Sequence, residues 1–141
     1  MHTETHKNCL FLAWLIALVS TLGALFIGEI MERTPCDLCW YQRIAMFPLA
    51  LILGIASFSS DMAVRRYVIP IAATGAVIAF WHSLLFAGII PEPAQPCTRE
   101  GPSCTGGEQT LFGVLPLPFL SAASFIAIIL LLTIPFRKSS I

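Results

Sequence analysis

At 141 residues the chain is 57% hydrophobic and only 11% charged, with eight basic residues against eight acidic ones and a mean hydropathy of +0.83. A soluble domain carries roughly 25% charged residues to cover its surface, so an ordinary soluble domain is excluded. The net charge is zero, and with no basic patch to neutralise phosphates nothing argues for nucleic-acid binding. The bilayer is the main partner.

The charged residues fall between four long apolar stretches, at about residues 9–30, 36–58, 68–90 and 117–134. Each is close to the roughly 20 residues that cross a hydrocarbon core ~30 Å thick. Lipid offers no partner to open backbone groups, so each stretch should be helical. The expected fold is all-α: an integral membrane four-helix bundle, a single domain over residues 1–141, with two cysteine-bearing extracytoplasmic loops. Four crossings put both termini and the connection between the second and third helices on one side. That side holds Lys7, Arg65, Arg66, Arg137 and Lys138; the other holds Arg33, Arg43 and Arg99 among six carboxylates. The basic excess, clustered near helix ends, predicts cytoplasmic termini. The short loop around Glu32–Pro35 and the longer loop at about 91–116 then lie outside.

The first stretch has a cleavable signal peptide as its alternative. Its apolar run exceeds the usual ~7–15 residues and no A-x-A-like site follows, which favours a retained helix. Cys9 stands alone at its inner end and reads as an inert thiol. Glu29, near the outer end, reads as an interfacial carboxylate.

The second stretch opens on Thr34-Pro35-Cys36-Asp37-Leu38-Cys39. Thr34 suits an N-cap, Pro35 the first helical position and Asp37 the acidic residue of the first turn. The helix should therefore begin at the cysteines, with Cys36 and Cys39 three residues apart on one face. Open N–H groups and the positive dipole end favour a thiolate there. Arg43 lies four residues beyond Cys39, on the same face and one turn deeper. It is either a snorkelling anchor or a cation facing a thiolate or ligand at the membrane surface, and its alignment with both cysteines favours the second. Gln42 faces elsewhere on the helix and suits an interhelical hydrogen bond. Trp40 fits an interfacial belt. Pro48 here, and Pro70 in the third stretch, should kink their helices and open a lateral slot.

In the third stretch His82 is expected about eight residues from the outer end, hence ~12 Å deep. Two readings stand for it: a hydrogen bond to a neighbouring helix, or a proton donor or hydrogen-bond partner for a bound ligand. The following loop, rich in Pro and Gly, carries Cys97 and Cys104 and should lack regular structure. A disulfide there is either a loop staple or a pair that exchanges with an incoming thiol. Beside the helix-anchored pair, two outer pairs can pass electrons between them. Zinc on four thiolates is the other possibility, but outer cysteines in an oxidising compartment point to disulfides, so no metal is expected. The apolar but Pro- and Gly-broken stretch 111–118 reads as a plain loop or as a segment lying in the outer interface before the fourth helix.

Four helices, a C-x-x-C directly before Trp40-Tyr41-Gln42-Arg43 and a second outer cysteine pair resemble the DsbB family, and more closely its short Gram-positive-type members called BdbC. The resemblance runs from the first helix to Phe119-Leu120-Ser121 in the fourth. Its specific part is Cys36-Asp37-Leu38-Cys39-Trp40-Tyr41-Gln42-Arg43. It implies an oxidoreductase of the bacterial cell membrane that passes electrons to quinone (menaquinone or ubiquinone) and reoxidises an extracytoplasmic thioredoxin-like disulfide donor, DsbA- or BdbD-like. Matched by order, Cys97 would form the mixed disulfide with that donor and Cys104 would exchange with Cys36. Cys39 would then face the quinone, with Arg43 stabilising negative charge. Trp81-His82 matches loosely an aromatic–histidine pair of the family and adds His82 to the quinone site. The second outer loop is shorter than in longer family members.

Two function classes remain. In a thiol oxidase all four outer cysteines change redox state. In a structural or accessory membrane protein they only staple loops and stay oxidised. A reductase passing electrons outward is disfavoured, since Cys9 has no partner on the inner side.

Overall fold

The computed structural model describes residues 2–32, 37–89, 110–111 and 114–139. Helix α1 (His2–Leu25) runs on into a π-helical turn (Phe26–Ile30). Helix α2 (Asp37–Ser59) is followed by a 3-10 turn (Met62–Val64) and α3 (Arg65–Phe86), and α4 (Leu117–Ser139) closes the chain. Before α4, β1 (Thr110–Leu111) pairs antiparallel with β2 (Leu115–Pro116), Thr110 opposite Pro116. The four helices are long and apolar enough to cross a membrane. Each packs on its sequence neighbour and α4 returns to α1, so the bundle is a ring of four.

The core follows from spacing. Leu10, Ala13 and Ala17 on α1, Leu49, Leu53 and Ala56 on α2, Val68, Ala72 and Ala79 on α3, and Phe125, Ile128 and Leu132 on α4 recur at three- and four-residue intervals and are buried. Small residues dominate the stripes of α1 and α3. Between membrane helices there is little hydrophobic drive, because lipid tails are as apolar as leucine, so close backbone approach supplies the attraction. A Cβ at Gly54 would lie 2.8 Å from the indole nitrogen of Trp14, whose ring packs against Phe11 and Phe58, each at 5.4 Å between centroids. Gly75 on α3 likewise leaves room for the fully buried Phe125 ring of α4. The Ser20 hydroxyl donates to Ser124 across the α1–α4 seam at 3.3 Å. Val19, Leu51, Phe58 and Val77 face outward, as lipid-facing residues should.

Capping chemistry stops the helices. Ser60 takes a left-handed conformation (φ 55), and the Asp61 N–H returns to the Ala56 carbonyl at 3.0 Å. The Asp61 carboxylate then accepts the Ala63 N–H at 2.9 Å, starting the next turn. At the end of α3, Gly88 (φ 79) lets its own N–H reach the Leu85 carbonyl and that of Ile89 reach Leu84, both at 3.1 Å. This is a Schellman motif, which only a residue tolerant of positive φ completes without strain.

The His6 ring nitrogen donates to the Pro135 carbonyl at 3.3 Å, and α1 touches the 3-10 turn. The start of α1, the end of α4 and the α2–α3 connection therefore share one end of the bundle, with Lys7, Arg65 and Arg66. The π-turn, Cys39 and the β-hairpin occupy the other.

Three expectations are corrected. The first helix begins at His2, not near residue 9, because hydropathy marks the part of a helix that sits in lipid and not where backbone hydrogen bonding starts. The third ends at Phe86, not near residue 90, because Gly88 turns the chain. The fourth passes through Pro135 to Ser139. Of the stretch 111–118, read as a plain loop or an interfacial segment, Leu111 and Leu115–Pro116 form short strands, and α4 starts at Leu117, next to the expected Pro118. The second helix starts at Asp37, one residue after Cys36, which lies outside the described residues.

Candidate functional site

The third residue of α2 is Cys39, held near the open N–H end of that helix. It is half-buried and packs, with Ile78, against the buried pair Leu38 and Leu85. One turn below it, neighbouring residues diverge. Successive positions on a helix are about 100° apart, so Gln42 and Arg43 leave α2 toward different partners.

Gln42 turns to α3. Its side-chain nitrogen is 2.9 Å from Nδ1 of His82; Gln42 is 7% exposed and His82 0%. With α3 ending at Phe86, His82 lies four residues, hence about 6 Å, from the helix end. That is half the depth expected from sequence and comparable with that of Gln42, which is why they meet. Gln42 is thus the interhelical hydrogen-bonding residue it was expected to be, and His82 makes the bond to a neighbouring helix that was one of its two readings.

Arg43 turns to α1. Its Nη2 donates to the Ala24 carbonyl at 2.8 Å, and its guanidinium carbon lies 5.5 Å from the centroid of the Trp40 ring. The backbone opposite is unusual. From Phe26 to Ile30 α1 widens into π-helix, with the Met31 N–H reaching five residues back to the Phe26 carbonyl at 3.1 Å. Single π-turns are frequent at functional sites. Gly28 sits in this turn against the guanidinium: a Cβ there would stand 3.1 Å from Nη2 and 3.3 Å from Nη1. No carboxylate among the described residues pairs with Arg43, and Glu29 on the same turn is exposed.

Arg43 is thus tied to a neighbouring helix as well as to its own. It is a cation about 9 Å from the start of α2 by helical rise, fixed sideways by one backbone carbonyl. A guanidinium carries five N–H groups in a rigid fork, and one carbonyl occupies only part of them. A charge so placed inside a membrane helix can complement negative charge that comes beside it. Cys39 lies one turn before Arg43 on the same helix.

Of the residues singled out from sequence, Cys39, Arg43 and His82 come to one end of the bundle. Arg43 and His82 flank α2 on different sides and are linked through the adjacent positions 42 and 43, not by direct contact. Cys36, Cys97 and Cys104 lie outside the described residues. Cys9 is a half-buried free thiol toward the opposite end. Sequence reasoning missed the Ala24 carbonyl and Gly28; a glycine inside the last turn of an apolar helix is a weak sign of close approach.

Comparison with known proteins matches residues 6–134 to the family model for disulfide bond formation protein DsbB. A "probable disulfide formation protein" of Metapseudomonas resinovorans is 56% identical over 133 residues, covering 94% of this chain and 92% of that one. "Disulfide bond formation protein C" of Bacillus subtilis is 44% identical over 126 residues, with 86% and 87% covered. A "probable disulfide formation protein" of Deinococcus radiodurans is 42% identical over 139 residues, with 94% and 91% covered. No solved structure matches the chain. A four-helix membrane bundle with a half-buried cysteine one turn from a membrane-embedded arginine, matched over nearly its full length by these relatives, the chain belongs to the DsbB family of disulfide bond formation proteins.

Proposed function

We propose that this protein is a thiol oxidase of the bacterial cell membrane, with both termini cytoplasmic, that draws electrons from an extracytoplasmic thioredoxin-like donor and delivers them to membrane quinone. The observation that supports this best is Arg43, held on the Ala24 carbonyl one turn below Cys39. The whole chain acts as one membrane unit in this reading. Quinone supplies a two-electron, two-proton acceptor, becoming quinol as a dithiol becomes a disulfide.

The donor set fits such an acceptor. Arg43, with one Nη on the Ala24 carbonyl, has further N–H groups that could meet a carbonyl oxygen of the acceptor, with His82 the second candidate, and Leu38, Ile78 and Leu85 form an apolar cluster near the same end of the bundle. Cys39 is the third residue of α2, near its open N–H end and one turn before Arg43. Cys36 is its disulfide partner, three residues earlier. Cys97 receives the donor protein's thiol in a mixed disulfide, and Cys104 exchanges with Cys36. Each exchange moves two electrons by thiolate attack on a sulfur, with one disulfide formed for each one broken. The basic residues at the opposite end of the bundle support cytoplasmic termini.

Alkylation trapping of the cysteines in membranes, with quinone present and then depleted, tests the reading. Offered a reduced thioredoxin-like partner, Cys36 and Cys39 should accumulate as thiols only when quinone is depleted. If they stay disulfide-bonded under depletion, the cysteines are staples and the oxidase reading fails. Cys97→Ser should stop transfer from the partner and leave Cys36–Cys39 oxidised; partner oxidation at the normal rate in that variant would overturn the assigned order.

A further inference from the structure

A long basic side chain inside a membrane helix ordinarily runs along that helix toward the headgroups. Arg43 goes sideways instead. Its Nη2 donates to the Ala24 carbonyl at 2.8 Å, and its guanidinium carbon stands over the Trp40 ring, 5.5 Å from the centroid. That is within the ~6 Å over which an aromatic face attracts a cation. Side chains on a helix lean toward its N-terminus, so Arg43 leans back over the turn that carries Trp40. The two contacts differ in what they use up. A guanidinium has five N–H donors along the edge of one plane, and a carboxylate would take two of them and cancel the charge. A ring attracts the cation through its face and leaves the edge donors open. No carboxylate among the described residues pairs with Arg43. Trp40 is 51% exposed and lies outside the buried core, so core packing does not account for its ring.

We infer that Trp40 is a positioning residue: its ring holds the Arg43 guanidinium against the Ala24 carbonyl without neutralising it or consuming the N–H groups that an electron acceptor would meet. This rests on the quinone reading above and deepens it. Gly28 completes the seat, because a Cβ there would stand 3.1 Å from Nη2 and 3.3 Å from Nη1. Without the ring a single carbonyl is left to hold a flexible side chain, and the cation divides its time between Ala24 and the headgroups. A group held off its working position for part of the time loses rate accordingly. The competing account makes Trp40 a residue of the interfacial belt. A belt tryptophan sets how deep its helix sits and does not act through Arg43.

The experiment uses the full chain in lipid nanodiscs with 15N-labelled arginine, dithiothreitol as the dithiol and a short-tailed benzoquinone or naphthoquinone as acceptor. The Arg43 side-chain signals are assigned by their loss in Arg43→Met. In the wild type they should be shifted upfield by the ring and split, because rotation of the held fork is hindered. Trp40→Leu keeps an apolar side chain but has no π face. It should remove the upfield shift, merge the split signals and lower kcat about 5-fold, the effect of one cation–ring contact, with little change in KM. Trp40→Phe keeps a π face without the indole N–H of a belt residue, and should retain the shift and stay within about 2-fold of wild type. In the Arg43→Met background Trp40→Leu should cost nothing further. Arg43 signals that do not move in Trp40→Leu would overturn the placement of the cation on the ring. Moved signals beside an unchanged kcat would overturn the positioning role. An equal loss in Trp40→Phe, or one that persists in Arg43→Met, would overturn it too and leave a belt residue. Failure of the oxidase reading itself shows elsewhere, as cysteines that do not respond to quinone, while the arginine signals need no turnover.

Discussion

Replacing Arg43 with methionine should lower quinone-coupled dithiol oxidation by roughly 10²–10³-fold, the usual cost of removing one fixed donor from a site where negative charge develops. The bundle should still assemble, because methionine keeps most of the apolar stem and the core stripe of α2 runs through Leu49, Leu53 and Ala56 instead. The measurement is quinone reduction in membranes at matched amounts of inserted protein. Turnover within a few-fold of wild type would show that the guanidinium only anchors the helix end. Lysine should rescue only in part, since a point charge cannot bind the Ala24 carbonyl and present a planar fork at once. Gly28→Val extends the test from the other side. A side chain there meets both terminal nitrogens of Arg43, so the cation must shift, and a loss of about 10-fold is expected from misplacement alone. The loss should vanish in the Arg43→Met background, where no guanidinium remains to be displaced.

Gly75→Val should be the most destabilising single change in the bundle interior. A Cβ at Gly75 would overlap the Phe125 ring, which is fully buried on α4 among residues that cannot move outward without separating α3 from α4. Overpacking of this kind costs about 1–3 kcal/mol, and a rigid aromatic partner places it at the upper end. Denaturation in detergent, followed by helical content or by retention of the folded band, reads the loss directly. Phe125→Ala should also destabilise alone, by leaving a cavity, yet Gly75→Val and Phe125→Ala together should be better than the sum of the two. Strict additivity would mean that the two positions do not share space, contrary to the packing.

The number of crossings was readable from composition and run length, since every backbone group in lipid must be bonded within its own helix. Where the helices stop was less readable. Hydropathy placed the first helix start near residue 9 and the third helix end near residue 90, but backbone bonding carries α1 out to His2, and Gly88 ends α3 at Phe86. The consequence reaches the site: the earlier end of α3 brings His82 to the level of Gln42. The hairpin of Thr110–Leu111 with Leu115–Pro116 also had no local signature, because strands of two residues show no period.

The site divides the same way. That Cys39 and Arg43 share a face and lie one turn apart was fixed by their four-residue spacing, a property of any helix. The motif around them carried the family as well. Which helix stands opposite each side chain was not a local property. Positions 42 and 43 differ by about 100° around α2, and only the order of the ring makes one meet His82 on α3 and the other Ala24 and Gly28 on α1. Those partners are separated from them by 15 to 40 residues, and the π-turn that receives Arg43 is a backbone adjustment with no residue pattern of its own. The sequence by itself determined that a cysteine and a cation would lie one turn apart at one end of a membrane bundle. The tertiary structure alone decided what holds the cation still and which residue His82 meets on α2, because both depend on contacts between helices.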